Sequence, residues 1–144
     1  MIKNWLITGD THGKTAQRLA YIKEMMPEYK PEETAVIILG DVGFNYYKNK
    51  KDWKNKHQAS EFGYTLYCLR GNHEDRFSNS KTEIIYQHDP NVSGMIMYED
   101  EFPKIKYFLD WVNSYIIMGK KVLFAASAYN QIRNCHLPYM GQFH

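Results

Sequence analysis

Apolar, β-branched runs in this chain end in small polar clusters of carboxylate, imidazole or amide. Trp5-Leu6-Ile7-Thr8 leads into Gly9-Asp10-Thr11-His12-Gly13, and Ala35-Val36-Ile37-Ile38-Leu39 leads into Gly40-Asp41-Val42-Gly43. Thr65-Leu66-Tyr67-Cys68-Leu69-Arg70 leads in the same way into Gly71-Asn72-His73-Glu74. Short apolar runs closed by glycine read as buried parallel strands, and open α/β sheets bind ligands where the carboxyl ends of such strands meet. Asp10, His12, Asp41, Asn72 and His73 are therefore candidates to share one small volume. Carboxylate, amide and imidazole without thiolate suit hard or borderline divalent cations. Taken singly, Asp10 and Asp41 read as turn or helix-cap residues; their common strand-end position is what makes a metal site of them.

The elements that must carry these residues can be read from the flanking pattern. Residues 14–26 read as a helix with Thr15 as cap, a face of Ala16, Leu19, Ala20 and Ile22, and Pro27 as its stop. Between two strands this forms a βαβ unit with a right-handed crossover. A second, more polar helix is predicted over 51–62, with Trp53, His57 and Phe62 on one side. After Arg70 the pattern changes. Ile84-Ile85-Tyr86 reads as a short strand or a turn of helix. Strands are predicted at 94–98, 105–108 and 114–118, and Gly119-Lys120 as a two-residue hairpin turn into Lys121–Ala126. A parallel α/β half followed by an antiparallel meander predicts an α/β layered fold, two packed mixed β-sheets flanked by helices. Residues 1–126 read as the domain and 127–144 as an irregular tail.

Composition narrows the classes. The chain of 144 residues fits one domain. A net charge of +2 gives no argument for an anionic membrane or for nucleic acid as an electrostatic partner. The lysine-rich run 48–56 reads as a solvated helix or loop, with a phosphate-facing patch as the alternative. The cysteines, Cys68 in a strand and Cys135 in the tail, make no disulfide framework and fit a reducing cytosol. The first strand begins after Asn4, which leaves no signal-peptide layout, and no aliphatic stretch approaches the roughly 20 residues of a membrane span. A cytoplasmic location follows as the expectation. None of the glycine clusters forms G-x-G-x-x-G or a P-loop, which weakens a nucleotide-binding domain as an alternative.

The ordered set Asp10-Thr11-His12, Gly40-Asp41 and Gly71-Asn72-His73-Glu74, each following a strand, resembles the calcineurin-like metallophosphoesterase superfamily. The resemblance covers residues 2–74 and, more loosely, the meander to Ala126. It implies a binuclear centre of manganese, iron, zinc or magnesium-class ions that hydrolyses phosphomonoesters or phosphodiesters by metal-activated water. By position, Asp10 and His12 would bind the first ion, Asp41 would bridge, and Asn72 would bind the second. His73 would contact phosphate and protonate the leaving oxygen. An imidazole titrating near neutrality suits that last role. Phosphoprotein phosphatases of the superfamily carry Gly-Asp-x-x-Asp-Arg-Gly, whereas Val42-Gly43-Phe44-Asn45 follows Asp41 here. That leaves small phosphoesters, nucleotides or nucleic acid as substrates.

Family members also carry downstream histidines ending in Gly-His-x-His. Here only His88, His136 and His144 follow His73, none in that motif. The first ion keeps Asp10, His12 and Asp41, while the second keeps Asp41 and Asn72, so one well-served position is expected in place of two. The expectation is a truncated, frameshifted or naturally minimal member with an unfinished second sheet and reduced activity. A non-catalytic remnant that binds one metal or a phosphate-bearing ligand is the alternative. Glu74 is expected to support its turn. Arg70 and Arg76 read as salt-bridge residues, with Arg76 also the candidate phosphate contact. His57 and His88 read as structural or solvated. Trp53, Tyr46 and Tyr47 read as packing under a loop, with a cleft wall as the alternative.

Overall fold

The computed structural model describes residues 1–74, 76–77, 80–110 and 112–125. Its first half follows the predicted alternation. Strand β1 (Asn4–Thr8), helix α1 (Thr15–Met25), strand β2 (Thr34–Leu39), helix α2 (Lys50–Ser60) and strand β3 (Thr65–Leu69) form consecutive parallel βαβ units. Strand β2 is buried along almost its whole length, as a central parallel strand covered on both faces must be.

The predicted meander is real but joins the same sheet. Strands β4 (Ile84–Asp89), β5 (Gly94–Glu99) and β6 (Ile105–Phe108) pair antiparallel with one another, and β6 lies parallel to β3. The result is one six-stranded mixed sheet in the order β1-β2-β3-β6-β5-β4. The second sheet is the antiparallel hairpin of β7 (Val112–Ile117) and β8 (Lys120–Ala125). Its turn is Met118-Gly119, one residue earlier than predicted, with φ of 52° and 75° and Ile117 paired to Lys120. Two left-handed residues match the strand twist as a type I′ turn does.

Side-chain alternation sorts the core into two layers. On one face Val36, Ile38, Leu66, Cys68, Ile105 and Tyr107 pack under Leu19 and Ile22 of α1 and Ala59 of α2. On the other face Ala35, Ile37, Tyr67, Leu69 and Phe108 meet Tyr115, Ile117 and Phe124 of the hairpin. Tyr115 fastens that hairpin to the sheet. Its hydroxyl donates to the Met95 carbonyl (3.0 Å) and accepts from the Leu109 amide (3.1 Å).

Both helices differ in detail from expectation. Lys14, not Thr15, occupies the cap position of α1, and no side chain caps it. Thr15 is buried and turns its hydroxyl to Thr11 (2.8 Å) and the Val42 carbonyl. In α2 the buried positions are Asp52, Lys56 and Ala59, whereas Trp53 and His57 stack on each other at the exposed flank (5.0 Å, 6°). The buried stripe keeps helical spacing but is built from charged residues, each partnered. Asp52 accepts the amides of Tyr46, Tyr47 and Lys48, and Lys56 pairs with Glu99 at 2.6 Å. Lys56 thus corrects the reading of 48–56 as solvated throughout.

Candidate metal centre and cleft

The loops that leave β1 and β2 are laced together by backbone. The His12 amide donates to the Asp41 carbonyl and the Gly13 amide to the Val42 carbonyl, each at 2.8 Å. Thr11, buried between them, donates its hydroxyl to the Val42 carbonyl at 3.0 Å. Gly43 permits this approach: a Cβ there would overlap the Gly13 amide and the His12 carbonyl carbon. Gly71 does the same for the third loop, since a Cβ on it would overlap the Asp41 amide and carboxylate.

This lacing brings Asp10, His12 and Asp41 together, with one ligand atom from each inside 4.8 Å of the others. His12 Nε2 lies 2.5 Å from Asp10 Oδ2, and both side chains are more than half exposed. Asp41 Oδ1 accepts the backbone N–H of His73 at 2.9 Å, which fixes the carboxylate's orientation from the β3 loop. His12 (φ 45°) and Asp41 (φ 39°) both adopt left-handed backbone. Non-glycine residues take that conformation uncommonly, and it collects at functional sites. Two carboxylates and an imidazole within reach of one another are a donor set that fits a hard or borderline divalent cation.

His12, Asp41, Gly43, Tyr46, Tyr47 and His73 line a cleft of about 180 Å³. Asn72 lies in the turn between Gly71 and His73 with its side chain exposed. Arg76 is not brought to this cleft. Its side chain is 5% exposed, and its guanidinium pairs with Glu74 (3.1 Å) and donates to the carbonyls of Phe108 (2.5 Å) and Cys68 (3.2 Å). It also lies 5.0 Å from the centre of the Tyr107 ring. Arg76 thus takes up the salt-bridge role read for it, as an interior brace of the loop after β3. Three protein acceptors and an aromatic ring occupy its donors, which explains the inward turn. Glu74 braces the same turn. Burial raises its carboxyl pKa above the usual range, and the adjacent Arg76 offsets only part of that. Arg70 forms the expected ion pair, with Asp110 at 2.6 Å. His57 stacks on Trp53 and pairs with Glu61 (3.3 Å), and His88 is exposed on β4. His136 and His144 lie outside the described residues.

Tyr46 and Tyr47 form a cleft wall instead of packing under a loop, while Trp53 donates its indole N–H to Glu101 at 3.0 Å. Sequence reasoning missed Asp52, which anchors that wall from α2. Its signal was an acid at helical spacing from Lys56 and Ala59. No helix among the described residues is long and apolar enough to cross a membrane.

A family model described as calcineurin-like phosphoesterase matches residues 4–136, running on beyond Ala126. No curated protein matches the chain, and no solved structure does.

Proposed function

Because the chain belongs to the calcineurin-like phosphoesterase family, we propose that it hydrolyses phosphate esters with divalent cations held by Asp10, His12 and Asp41. The observation that carries this is the convergence of those ligand atoms within 4.8 Å at the carboxyl ends of neighbouring parallel strands. Asn72, beside the Asp41 carboxylate, serves a second ion in this reading, and manganese is the cation of choice for testing. When bound, such cations neutralise charge on the phosphoryl oxygens and lower the pKa of water. Hydrolysis forms a bond from a water oxygen to phosphorus and breaks the bond from phosphorus to the leaving oxygen. That leaving oxygen needs a proton, and His73, on the cleft wall, is the residue we assign to give it.

The role division is tested by calorimetric manganese titration together with hydrolysis of an aryl phosphodiester. Asp41→Asn, which removes a direct ligand, is expected to weaken manganese binding by at least the roughly 10- to 100-fold that loss of an outer partner costs and to abolish turnover. His73→Ala is expected to keep manganese affinity and lower kcat by roughly 10²–10⁴. Equal loss of manganese from both variants would remove the distinction between ligand and proton donor. A second reading, binding of one cation or a phosphate-bearing ligand without turnover, rests on the single three-ligand group found among the described residues. Saturable manganese binding by the unmodified protein with no hydrolysis would favour it.

A further inference from the structure

We infer that the Tyr46–Tyr47 wall selects phosphoesters whose leaving group carries a planar aromatic ring, with Tyr46 as the stacking surface. The inference rests on the phosphoesterase reading and concerns what lies beyond the leaving oxygen. If His73 protonates that oxygen, the group attached to it runs past the residues next to His73. The Tyr46 ring lies there, its centroid 6.2 Å from that of His73 and its plane at 77° to it. Tyr46 is 50% exposed although its neighbours Phe44 and Asn45 are buried, so its ring is presented to the cleft and to solvent rather than consumed by the core.

The wall is held rigidly. Tyr47 packs edge-to-face with Tyr46 at 5.0 Å and carries the Lys51 ammonium 3.9 Å from its ring centre. Asp52, 1% exposed, accepts the backbone N–H groups of Tyr46 (3.2 Å), Tyr47 (3.0 Å) and Lys48 (2.7 Å). A large aromatic face fixed by its backbone binds a flat ring with little ordering cost. An alkyl substituent lacks the π-face and gains only apolar contact.

The test is calorimetric titration of the manganese-loaded protein with phenylphosphonate, cyclohexylphosphonate and methylphosphonate, whose carbon–phosphorus bonds resist hydrolysis. Phenylphosphonate is expected to bind about 5- to 150-fold more tightly than the other two, the range of ring stacking on an aromatic side chain. Tyr46→Ala should erase that preference while keeping methylphosphonate affinity, and Tyr46→Phe should retain it, separating the ring from the hydroxyl. Cyclohexylphosphonate binding as tightly as phenylphosphonate would overturn the inference. So would an undiminished phenyl preference in Tyr46→Ala. In either case methylphosphonate binding leaves the phosphoesterase reading standing. Failure of all three phosphonates to bind overturns both readings together.

Discussion

At the scale of single residues, the candidate centre depends on side chains that are absent as much as on those present. Gly43 and Gly71 let three loops touch, and neither position has room for a methyl group. Gly43 is further committed by its φ of 81°. Gly43→Ala and Gly71→Ala are each expected to cost more than about 2 kcal/mol in chemical denaturation, from overlap with fixed backbone. Gly71→Ala should also weaken manganese binding, because the methyl group falls on the Asp41 carboxylate. Gly9→Ala is the control, since its Cβ meets nothing within 4 Å. Unchanged manganese affinity in Gly71→Ala would show that Asp41 is seated independently of the β3 loop. The glycines are visible in the sequence beside Asp41 and Asn72. What they approach is not, because the contacting atoms lie some thirty residues away.

At the scale of elements, α2 buries a stripe that no apolar pattern announces. Trp53 and His57 are the conspicuous residues, yet Asp52, Lys56 and Ala59 turn inward. Burying a charge is tolerated only where a partner waits. For Lys56 that partner is Glu99 on β5, which also accepts the Ser80 hydroxyl at 2.9 Å. Lys56→Met alone is expected to destabilise by about 3–5 kcal/mol, leaving Glu99 buried and unpaired. Lys56→Met with Glu99→Leu should recover most of that loss. A double variant no more stable than the single one would mean the pair contributes more than mutual neutralisation. The hairpin teaches a smaller lesson. Glycine marked its turn, but which side of Gly119 carried the second turn residue depended on the register of β7 against β8.

At the scale of the whole molecule, a single mixed sheet separates a helical layer from a hairpin layer, and the cleft opens in the loops that follow β1, β2 and β3. Asp89, at the end of β4, ties the sheet's far side together. It accepts from the Tyr67 hydroxyl (2.6 Å), Lys106 Nζ (2.7 Å) and the Asn91 amide (2.9 Å). Burial alone would raise its carboxyl pKa, but the hydrogen bonds from Lys106, Tyr67 and Asn91 outweigh burial and hold it below the ordinary value. A folded pKa below the unfolded one, about 3.9, gives stability that is complete above about pH 4. That contribution drains away as pH falls through the lower folded value. Thermal unfolding followed from pH 6 to pH 2 should therefore show a shallower acid limb in Asp89→Asn than in the unmodified protein. Parallel curves would take Asp89 out of the acid response.

Local chemistry was enough to choose the side chains and to place them at strand ends. An apolar run, a glycine and an acid are neighbours in the chain, and the alternation of β1, α1, β2, α2 and β3 follows from period and punctuation alone. The α/β class, the metal-suited donors and the position of His73 in the β3 turn were legible for that reason. Tertiary contacts decided the rest. The seating of β6 beside β3, the inward turn of Arg76, the burial of Asp52 and Lys56, and the exposure of Tyr46 over a cleft depend on partners distant along the chain. A polar side chain's preference for core or solvent is set by whether such a partner is present, and no run of neighbouring residues encodes it.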